Sequence, residues 1–370
     1  MDCAPRNPRV ALVHDYLNQR GGAERVFAQM AAAYPFAPVY TALYDPRATG
    51  DLIAPGRVRA SLLDRLPGSG AYFRALAPLY PLVFERMDLR AYDVVVSSTS
   101  AWAKGVHVRP DAVHVCYIHT VSRFLFAYEQ YVGGFGLGTL AKPLVERLCA
   151  WDLRAAARPT AYIANSRNVA ARVQRYYGRD AYVLPGPVEL DRLRVGTERD
   201  RYMIVVSRLL PYKRVDLAID ACAKAGVPLL VVGTGPAERA LRQRAAGTTT
   251  TLLGFLPDAE VNALVGRARA LIFPGEEDYG LVPIEAAAAG TPTIAYAAGG
   301  ALETVIAGTT GAFFGVQDAS ALAGTIAAFD PAAYDRAALR AHAQTYAPER
   351  FRERLREIVS AVAARPRAAI

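Results

Sequence analysis

The chain has little of what usually builds a metal centre. Among its 370 residues there are four cysteines and five histidines. Neither group shows the short, regular spacings that are typical of zinc sites. We therefore expect no metal centre, and we expect the cysteines to be free thiols, as in a reducing cytosol. These cysteines are Cys3, Cys116, Cys149 and Cys222.

Long apolar runs and targeting signals are also missing. The longest apolar stretches are broken by glycine, proline or a charged residue well before about 18 residues, so no membrane-spanning helix is expected. The opening sequence MDCAPRNPRV runs directly into a strand pattern, without the charged and then apolar leader of a signal peptide. We expect a cytoplasmic protein.

Negative charge is in the minority. Lysine and arginine total 43 residues against 34 aspartates and glutamates, which gives a formal net charge of +9. A basic surface favours nucleic acid, an anionic membrane or an anionic substrate as a partner. Because none of the recognised nucleic-acid-binding motifs is present, we expect no nucleic acid partner. A generally arginine-rich composition accounts for part of the excess.

Short apolar runs alternate with helical patterns along the whole chain. Runs without polar alternation are typical of a parallel sheet covered on both faces. The length fits two domains of ordinary size, and the polar stretch 196–201 separates them. We predict domains over 1–195 and 196–347, followed by a segment over 348–370 that contains a last helix. The predicted strands are 10–14, 93–97, 114–118, 161–165 and 181–184, then 202–206, 228–232, 250–253, 270–273 and 293–296.

One segment, 274–292, carries the most specific pattern. Its sequence is PGEEDYGLVPIEAAAAGTP, with Glu277 and Glu285 eight positions apart on either side of a helix start. Pro283 suits a first helical turn, and Gly290 followed by proline predicts the helix end. Free N–H groups at a helix start attract anions such as a diphosphate, while flanking carboxylates can bind hydroxyl groups. This pattern predicts a nucleotide-sugar pocket.

Several motifs in the same order resemble retaining glycosyltransferases of family 4, which have the GT-B fold. Glu277 and Glu285 match the Glu-x7-Glu motif of that family, and Gly21–Glu24 matches its first glycine-rich turn. Three further matches lie at 207–214, 232–236 and 254–256. The resemblance is greatest to bacterial mannosyltransferases that use GDP-mannose in cell-surface polysaccharide assembly. It is carried there by LVHDY, SSTSAWAKGV, HVCYIHT, IANSR and VSRLLPYKRVDLAI.

The resemblance implies a fold of the α/β class. In a GT-B protein, two doubly wound Rossmann-like domains face each other across a cleft, the first binding the acceptor and the second the nucleotide sugar. The last helix commonly crosses back to the first domain, and we expect this of 348–363. Ligands of such sheets bind beyond the carboxyl ends of the strands, and every motif above follows a predicted strand.

The resemblance also assigns roles in the second half. Arg208 and Lys213 would contact the donor diphosphate, where positive charge stabilises the leaving group as the glycosidic bond breaks. Without this context, an arginine and a lysine after a strand are usually a solvated surface. Glu285 would bind the donor ribose. The helix start at Gly280, Leu281 and Val282 would hold the diphosphate, and Gly254, Phe255 and Leu256 would lie near the base.

Glu277 is the expected catalytic carboxylate. In retaining transfer by this fold, a same-face mechanism is generally proposed, in which the departing diphosphate takes the acceptor proton. Glu277 would position the sugar and stabilise the oxocarbenium-like centre, with a covalent nucleophile as the alternative role. The family commonly has glycine after this glutamate, whereas this chain has Asp278, a variant that recurs in the mannosyltransferase branch.

The first half supplies fewer candidates. Gly22 would let the backbone approach the phosphates, although a glycine pair after a strand is more often a simple turn. His119 matches a family histidine that faces the donor sugar, with a structural histidine as the alternative. His14 and Asp15 end the first strand and are weaker candidates for the acceptor side. Ser166 is expected to cap the helix that follows it.

No metal is expected in the reaction either. The first half has no Asp-x-Asp at a strand end, which argues against the metal-dependent GT-A type, whose carboxylates hold a divalent ion against the diphosphate. We expect no cofactor, with the nucleotide sugar as a substrate.

Two segments mix basic and aromatic residues, namely 57–90 and 123–131. Segments of this kind can rest on an anionic membrane with apolar side chains inserted. Alternatively, 57–90 forms a helical hairpin packed on its own domain. The resemblance implies a polyprenyl-diphosphate-linked saccharide as acceptor, which would place the protein peripherally on the inner face of the cytoplasmic membrane. The residues concerned include Arg57, Arg59, Arg65, Arg74, Arg86, Arg90, Arg123, Phe124, Phe126, Tyr128 and Tyr131.

The sequence therefore predicts a retaining hexosyltransferase, with mannose from GDP-mannose favoured. Three alternatives stay open: a UDP-sugar-dependent transferase of the same family, a sugar-nucleotide epimerase of the same fold, and a non-catalytic nucleotide-sugar-binding protein. The presence of Arg208, Lys213, Glu277 and Glu285 together argues against the last.

Overall fold

The computed structural model describes residues 8–70, 72–126 and 142–365. Tyr128 and Tyr131 of the second basic-aromatic segment, and Cys3, lie outside the described residues. The chain divides into two compact units, Met1–Gly186 with Glu349–Ile370, and Pro187–Pro348. The division falls before the polar stretch predicted from the sequence, because Val188 and Leu193 are buried in a core cluster of the second unit.

The first unit is built on a seven-stranded parallel sheet. Its order is β3-β2-β1-β4-β5-β6-β7, so the order reverses between β1 and β4. All residues of β4 and β5 are buried, as expected for central strands covered on both faces. The strands are β1 Val10–His14, β2 Val39–Thr41, β3 Val58–Ala60, β4 Val94–Thr99, β5 Val113–Ile118, β6 Ala161–Ala164 and β7 Ala181–Val183.

Helices connect these strands and cover the sheet. In α1 the apolar residues recur at helical spacing, and Val26, Phe27 and Met30 are buried. The helices that lie within 8–186 are α1 Gly22–Ala33, α2 Pro46–Thr49, α3 Tyr80–Glu85, α4 Arg123–Phe126, α5 Lys142–Ala156 and α6 Arg167–Tyr177. Ser166 caps α6, since its hydroxyl accepts the Val169 N–H at 3.0 Å. The predicted cap is thereby confirmed.

The second unit repeats the plan with six parallel strands. Its order is β10-β9-β8-β11-β12-β13, and here the order reverses between β8 and β11. The strands are β8 Met203–Val206, β9 Leu229–Val232, β10 Thr250–Gly254, β11 Ala270–Phe273, β12 Thr293–Tyr296 and β13 Gly311–Phe314. The helices are α7 Val215–Ala225, α8 Glu238–Ala245, α9 Asp258–Arg267, α10 Leu281–Ala288, α11 Ala301–Thr304, α12 Ala319–Ala328 and α13 Arg336–Gln344.

The last helix, α14 Pro348–Ala363, packs on the first unit. The Phe351 ring meets the Tyr117 ring of β5 at 5.7 Å between centroids. Arg352 Nη1 donates to Gln29 Oε1 of α1 at 2.7 Å. Since β5 and α1 are both elements of the first unit, the chain completes that unit with its C-terminal segment.

The segment 57–90 is not the helical hairpin that the sequence left open. It contains the short strand β3, a 3-10 turn over Leu62–Arg65, a second one over Ala77–Leu79 and the six-residue helix α3. Pro67 and Pro78 disfavour a longer helix here, and Pro81 lies in the first turn of α3, where proline is tolerated. Tyr80 and Phe84 of α3 are buried in the core of the unit.

Over the described ranges, no helix combines the length and the apolar character that crossing a bilayer would require. The described cysteines, Cys116, Cys149 and Cys222, are free thiols. Burial raises the pKa of both Cys116 and Cys222 to about 12, so neither is a reactive thiolate near neutral pH.

Candidate functional site

The loops after β8 and β11 meet where the strand order of the second sheet reverses. Lys213 Nζ forms an ion pair with Glu277 Oε1. Each side chain is about one-sixth exposed, with 17% of its surface accessible. Lys213 Nζ also lies 5.1 Å from the Tyr212 ring centroid, a cation–π contact. Two of the predicted site residues, 64 positions apart, are thus in direct contact at the point where ligands of such sheets bind.

A tight turn presents Lys213. Pro211–Lys213 form one turn of 3-10 helix, and Arg214 then adopts a left-handed conformation with φ of 53°. Among the described residues, Arg214 is the one non-glycine residue with positive φ. This conformation turns the chain into α7 and costs free energy for a residue with a Cβ. Strained backbone conformations of this kind are common at functional sites. The Arg214 guanidinium pairs with Asp216 at 3.3 Å.

Glycine allows the β11 loop to approach this turn. A Cβ on Gly275 would lie 2.8 Å from the Tyr212 carbonyl oxygen and 3.0 Å from Lys213 Cα. Real Cβ atoms do not come this close to backbone, so only glycine fits without a shift. Gly275 therefore determines how near Glu277 comes to Lys213.

A pair of adjacent glycines after β12 holds the backbone of Glu277 itself. The Gly300 N–H donates to the Glu277 carbonyl oxygen at 2.8 Å. Gly299 has φ of 58°, and a Cβ there would overlap that same carbonyl oxygen. The loop after β12 thus contacts and orders the loop after β11, which carries Glu277.

A Gly299→Ala substitution is expected to destabilise the second unit and to displace Glu277. Left-handed strain alone costs about 1–2 kcal/mol of unfolding free energy. Overlap with the Glu277 carbonyl adds to that cost. Gly308→Ala is the matched control, since Gly308 has φ of 75° and nothing lies within 4 Å of its Cβ position. Urea unfolding of both variants measures the difference; an equal loss in the two would show that the Glu277 contact has no energetic weight.

The residues predicted to bind the donor diphosphate and ribose lie around the start of α10. Gly280 precedes the helix with φ of 102°, a conformation that favours glycine. Glu285, one turn later, is half-buried, and so are Leu281 and Val282 in the first turn. Pro283, as predicted, falls within that turn and is buried. Backbone N–H groups of this turn have no partner within the helix and are suited to an anion.

Arg208 differs from Lys213 in being exposed. Within the described ranges its guanidinium has no hydrogen bond or ion pair, and its charge is therefore free to meet a ligand. Phe255 is also exposed, with 80% of its surface accessible, whereas Leu256 packs into an apolar cluster of the second unit. Gly254 turns the chain between β10 and Phe255 with φ of 72°.

The first unit brings its polar candidates together at its own reversal point. The rings of His14, at the end of β1, and His119, after β5, are 6.4 Å apart and nearly perpendicular. The hydroxyl of Ser98 in β4 lies between them, 3.0 Å from His14 Nδ1 and 2.8 Å from His119 Nε2. Ser98 pairs with His14 in the β1–β4 register, which is why the side chains meet.

His119 is held neutral. Burial is the main cause that lowers its pKa from 6.5 to about 3, with the neighbouring His14 as a smaller contribution. Glu24 lies on the far side of His14, 3.9 Å from Nε2. Burial would raise the Glu24 pKa, but hydrogen bonding and charge from His14 and a backbone N–H lower it on balance. His119 at neutral pH can therefore act as a hydrogen-bond donor or acceptor, but not as a cation.

The Asp15 carboxylate is bonded to the loop after β4, and its place on the acceptor side stays a prediction. Its two carboxylate oxygens accept four backbone N–H groups, of residues 100, 101, 102 and 103, at 2.7–3.0 Å. Thr99 Oγ1 donates a further bond at 2.9 Å, and only 3% of Asp15 is exposed. The carboxylate is therefore occupied in fixing the loop after β4, and we assign Asp15 to the structure of that loop.

Stability of the first unit is expected to fall as the pH is lowered from 7 to 5. His114 and His119 both have their pKa lowered to about 3, chiefly by burial, against 6.5 when unfolded. The unfolded chain therefore binds more protons between these values, and stability falls with falling pH. Glu24 and Glu85, whose pKa values are lowered from 4.5, add to the loss only below about that pH. Urea midpoints at pH 7, 6 and 5 test this; a flat profile would contradict it, and His114→Asn should flatten it in part.

Gly22 begins α1, and its neighbour Gly21 is tied to Glu24. The Gly21 N–H donates to Glu24 Oε2 at 2.8 Å, which closes the N-terminal turn. Arg20 pairs with Asp51 at 2.7 Å on the surface. The turn is thus ordered, with Gly22 in the first helical position.

Sequence reasoning missed several residues that shape these sites. Ser98 lies between the two histidines of the first unit and Glu24 lies beside His14, while Gly275, Gly299 and Gly300 position Glu277. A signal existed for Ser98, because three hydroxyl residues follow an apolar run at the end of β4. The glycines gave no such signal, because what each one touches lies in another loop.

Two family models match the chain in succession. The model described as Glycosyltransferase Family 4 matches residues 20–192, and the model described as Glycosyl transferases group 1 matches residues 190–346. The chain belongs to the group 1 and family 4 glycosyltransferases. The two matches together span both units.

Individual relatives match part of the chain. D-inositol 3-phosphate glycosyltransferase of Geodermatophilus obscurus is 35% identical over 199 residues, which are 45% of this chain and 44% of that protein. A Salmonella typhimurium protein with the provisional name colanic acid biosynthesis glycosyltransferase WcaL is 29% identical to this chain. The match covers 58% of this chain and 52% of that protein. The chain thus spans about half the length of the curated relatives it matches.

Solved structures of similar fold cover nearly the whole chain. Anabaena HepE, crystallised with UDP and glucose, matches with a TM-score of 0.72 and 19% identity over 95% of this chain and 100% of HepE. Sucrose-phosphate synthase from Thermosynechococcus elongatus matches with a TM-score of 0.74 and 19% identity over 97% of this chain and 100% of that one. These likenesses show the fold: two Rossmann-like units with parallel sheets, of the GT-B class.

Proposed function

We propose that the protein transfers a hexose from a nucleotide sugar to a saccharide acceptor with retention of configuration. The observation that carries the proposal is the contact between Lys213 and Glu277 at the reversal point of the second sheet. A cation suited to a diphosphate and a carboxylate suited to sugar hydroxyls or a cationic centre stand side by side there. Family membership and the exposed charge of Arg208 support the same reading.

In this mechanism, the bond between the anomeric carbon and the diphosphate oxygen breaks first. The electron pair leaves with the diphosphate, whose growing negative charge Arg208 and Lys213 stabilise. Glu277 stabilises the positive charge that develops on the sugar. The acceptor hydroxyl then bonds to the anomeric carbon on the same face and gives its proton to the departing diphosphate oxygen, so the configuration is retained.

These two cations would take the place that a divalent ion has in metal-dependent transferases. The sequence offers no Asp-x-Asp for such an ion, and Arg208 and Lys213 supply two positive charges beside the leaving group. We therefore expect turnover to persist in the presence of EDTA. Loss of turnover on chelation, restored by magnesium or manganese, would contradict this part of the proposal.

GDP-mannose is the proposed donor, on the resemblance to mannosyltransferases. The UDP complexes of HepE favour a UDP-sugar as the second candidate. Thermal unfolding with GDP, UDP, ADP, GDP-mannose, UDP-glucose and UDP-N-acetylglucosamine separates the two, because a ligand of the folded state raises the melting temperature. Stabilisation by the guanine compounds alone supports mannosyl transfer. Stabilisation by the uracil compounds alone supports the second candidate, and no stabilisation by any of them would contradict a donor site.

The proposed acceptor is a polyprenyl-diphosphate-linked glycan reached at the inner membrane surface. Leu62, Tyr72 and Leu82 of segment 57–90 are exposed apolar residues, and exposed arginines such as Arg65 and Arg74 lie beside them in sequence. Arg57 is not part of this surface, because its guanidinium is bonded to carbonyl groups of 31, 34 and 37. Binding to anionic liposomes that weakens as salt rises would support a peripheral contact. Absence of binding at low salt would contradict it.

A further inference from the structure

A buried serine hydroxyl separates the two imidazole rings of the first unit. Ser98 is fully buried, and its Oγ lies within hydrogen-bond distance of both His14 Nδ1 and His119 Nε2. One hydroxyl has one proton to give and two lone pairs to receive. The direction of each bond therefore depends on where the protons of the two rings are.

The backbone decides the proton position on His14. Its Nδ1 also lies 3.1 Å from the Ser98 carbonyl oxygen, which can only accept. A bare Nδ1 would place two lone pairs against each other, so this nitrogen must carry a proton. The ring is fixed in that position by Phe27, which stacks on it at 4.5 Å and 12°, and by the Glu24 carboxylate beyond Nε2.

With His14 as a donor, the Ser98 proton has one place to go. Among the described residues, Ser98 Oγ has no other partner than the two rings. If His119 Nε2 carried a proton as well, the Ser98 hydroxyl would be surrounded by donors, and its own proton would be buried without an acceptor. The satisfied arrangement has Ser98 donating to a bare His119 Nε2.

We infer that Ser98 and His14 fix His119 as the tautomer with its proton on Nδ1. The Nδ1 atom has no hydrogen bond within the described part of the chain, so its proton is available to an oxygen of the substrate. Ser98 and His14 are then positioning residues, which act through His119 on a sugar hydroxyl. The tautomer stands on geometry alone, while its use in transfer rests on the proposed function.

Nitrogen-15 NMR of the full chain with labelled histidine tests the tautomer directly. Protonated and bare imidazole nitrogens have well-separated shifts, and long-range proton couplings distinguish Nδ1 from Nε2. The His119 signals are assigned by their loss in His119→Gln. We expect a bare Nε2 and a protonated Nδ1 near neutral pH. A protonated Nε2 would overturn the inference, whatever the enzyme does with nucleotide sugars.

Variants of the two neighbouring serines test the positioning role. In Ser98→Ala the bond to His119 is lost, and we expect its proton to redistribute towards Nε2. The kcat should fall about three- to tenfold, the size of one ordinary hydrogen bond, with little change in KM. Ser98→Thr, which keeps the hydroxyl, should restore the Nδ1 tautomer and most of the kcat.

Ser97→Ala is the matched control. Ser97 is equally buried and donates to or accepts from His114 Nε2 at 2.7 Å, on the opposite face of the same strand. It should cost comparable stability and leave the His119 tautomer and kcat unchanged. An equal loss of kcat in both variants would reduce the role of Ser98 to folding. If the wild-type chain turns over no nucleotide sugar, the proposed function is contradicted, but the tautomer result is not affected.

Discussion

A Glu277→Gln protein is expected to lose turnover by about 100-fold or more, the scale of a group that stabilises transition-state charge. The same protein should bind the free nucleoside diphosphate at least as tightly as the unchanged chain. In the unliganded protein Glu277 neutralises Lys213 through their ion pair. Glutamine removes a negative charge that would otherwise repel the diphosphate and compete for this lysine.

The opposite signs of these two effects make the prediction specific. Release of nucleoside diphosphate from the preferred donor measures turnover, and calorimetric titration measures binding. Glu276→Gln is the matched control, since Glu276 is the exposed neighbour and is expected to change neither quantity much. If turnover survives in Glu277→Gln, the catalytic role of Glu277 is wrong; if binding falls together with turnover, its role is to hold the donor.

An Asp15→Asn protein is expected to lose at least about 3 kcal/mol of unfolding free energy, because buried donors would lose their charged acceptor at roughly 1–3 kcal/mol each. Four backbone N–H groups and the Thr99 hydroxyl converge on this carboxylate. The NH2 group that replaces one carboxylate oxygen would face backbone N–H groups, so donors would meet donors. The loop over 100–103 and the adjoining end of β4, which carries Ser98, should loosen first.

Urea unfolding of Asp15→Asn against Asp51→Asn measures this effect. Asp51 pairs with Arg20 on the surface, where 59% of its side chain is exposed. Exposed ion pairs contribute about 0–1 kcal/mol, so Asp51→Asn should scarcely move the unfolding midpoint. A loss of less than about 1 kcal/mol in Asp15→Asn would contradict the structural role and reopen its assignment to a ligand.

The sequence predicted the strands of both sheets well where they are central. The predicted runs 270–273 and 293–296 coincide with β11 and β12, because strands covered on both faces are largely apolar. Strands β2 and β3 were missed: each has three residues, and β3 lies at the sheet edge with two exposed residues, so no apolar run marks it. β13 was missed too; its four residues begin with glycine, which is depleted in strands.

In the candidate site, too, some contacts could be predicted from the sequence and others could not. Lys213 and Glu277 follow neighbouring strands, so their proximity follows from sheet topology once the strands are known. The loop whose N–H groups donate to Asp15 lies 85 to 88 residues further along the chain. No local sequence pattern indicates which backbone groups will bind a carboxylate. The tautomer of His119 likewise depends on Ser98, which reaches it only through the register of β1, β4 and β5.

The central claim is that Lys213 and its surroundings hold the diphosphate of a nucleotide-sugar donor, and calorimetric titration with GDP and UDP tests it most directly. The unchanged chain should bind one of the two, and Lys213→Met should weaken that binding at least about tenfold, the equivalent of 1.4 kcal/mol. Lys224→Met is the matched control, because Lys224 lies on α7 of the same unit with a single surface bond to Ser320. Equal binding by the Lys213→Met and Lys224→Met proteins, or no binding of either nucleotide by the unchanged chain, would contradict the claim.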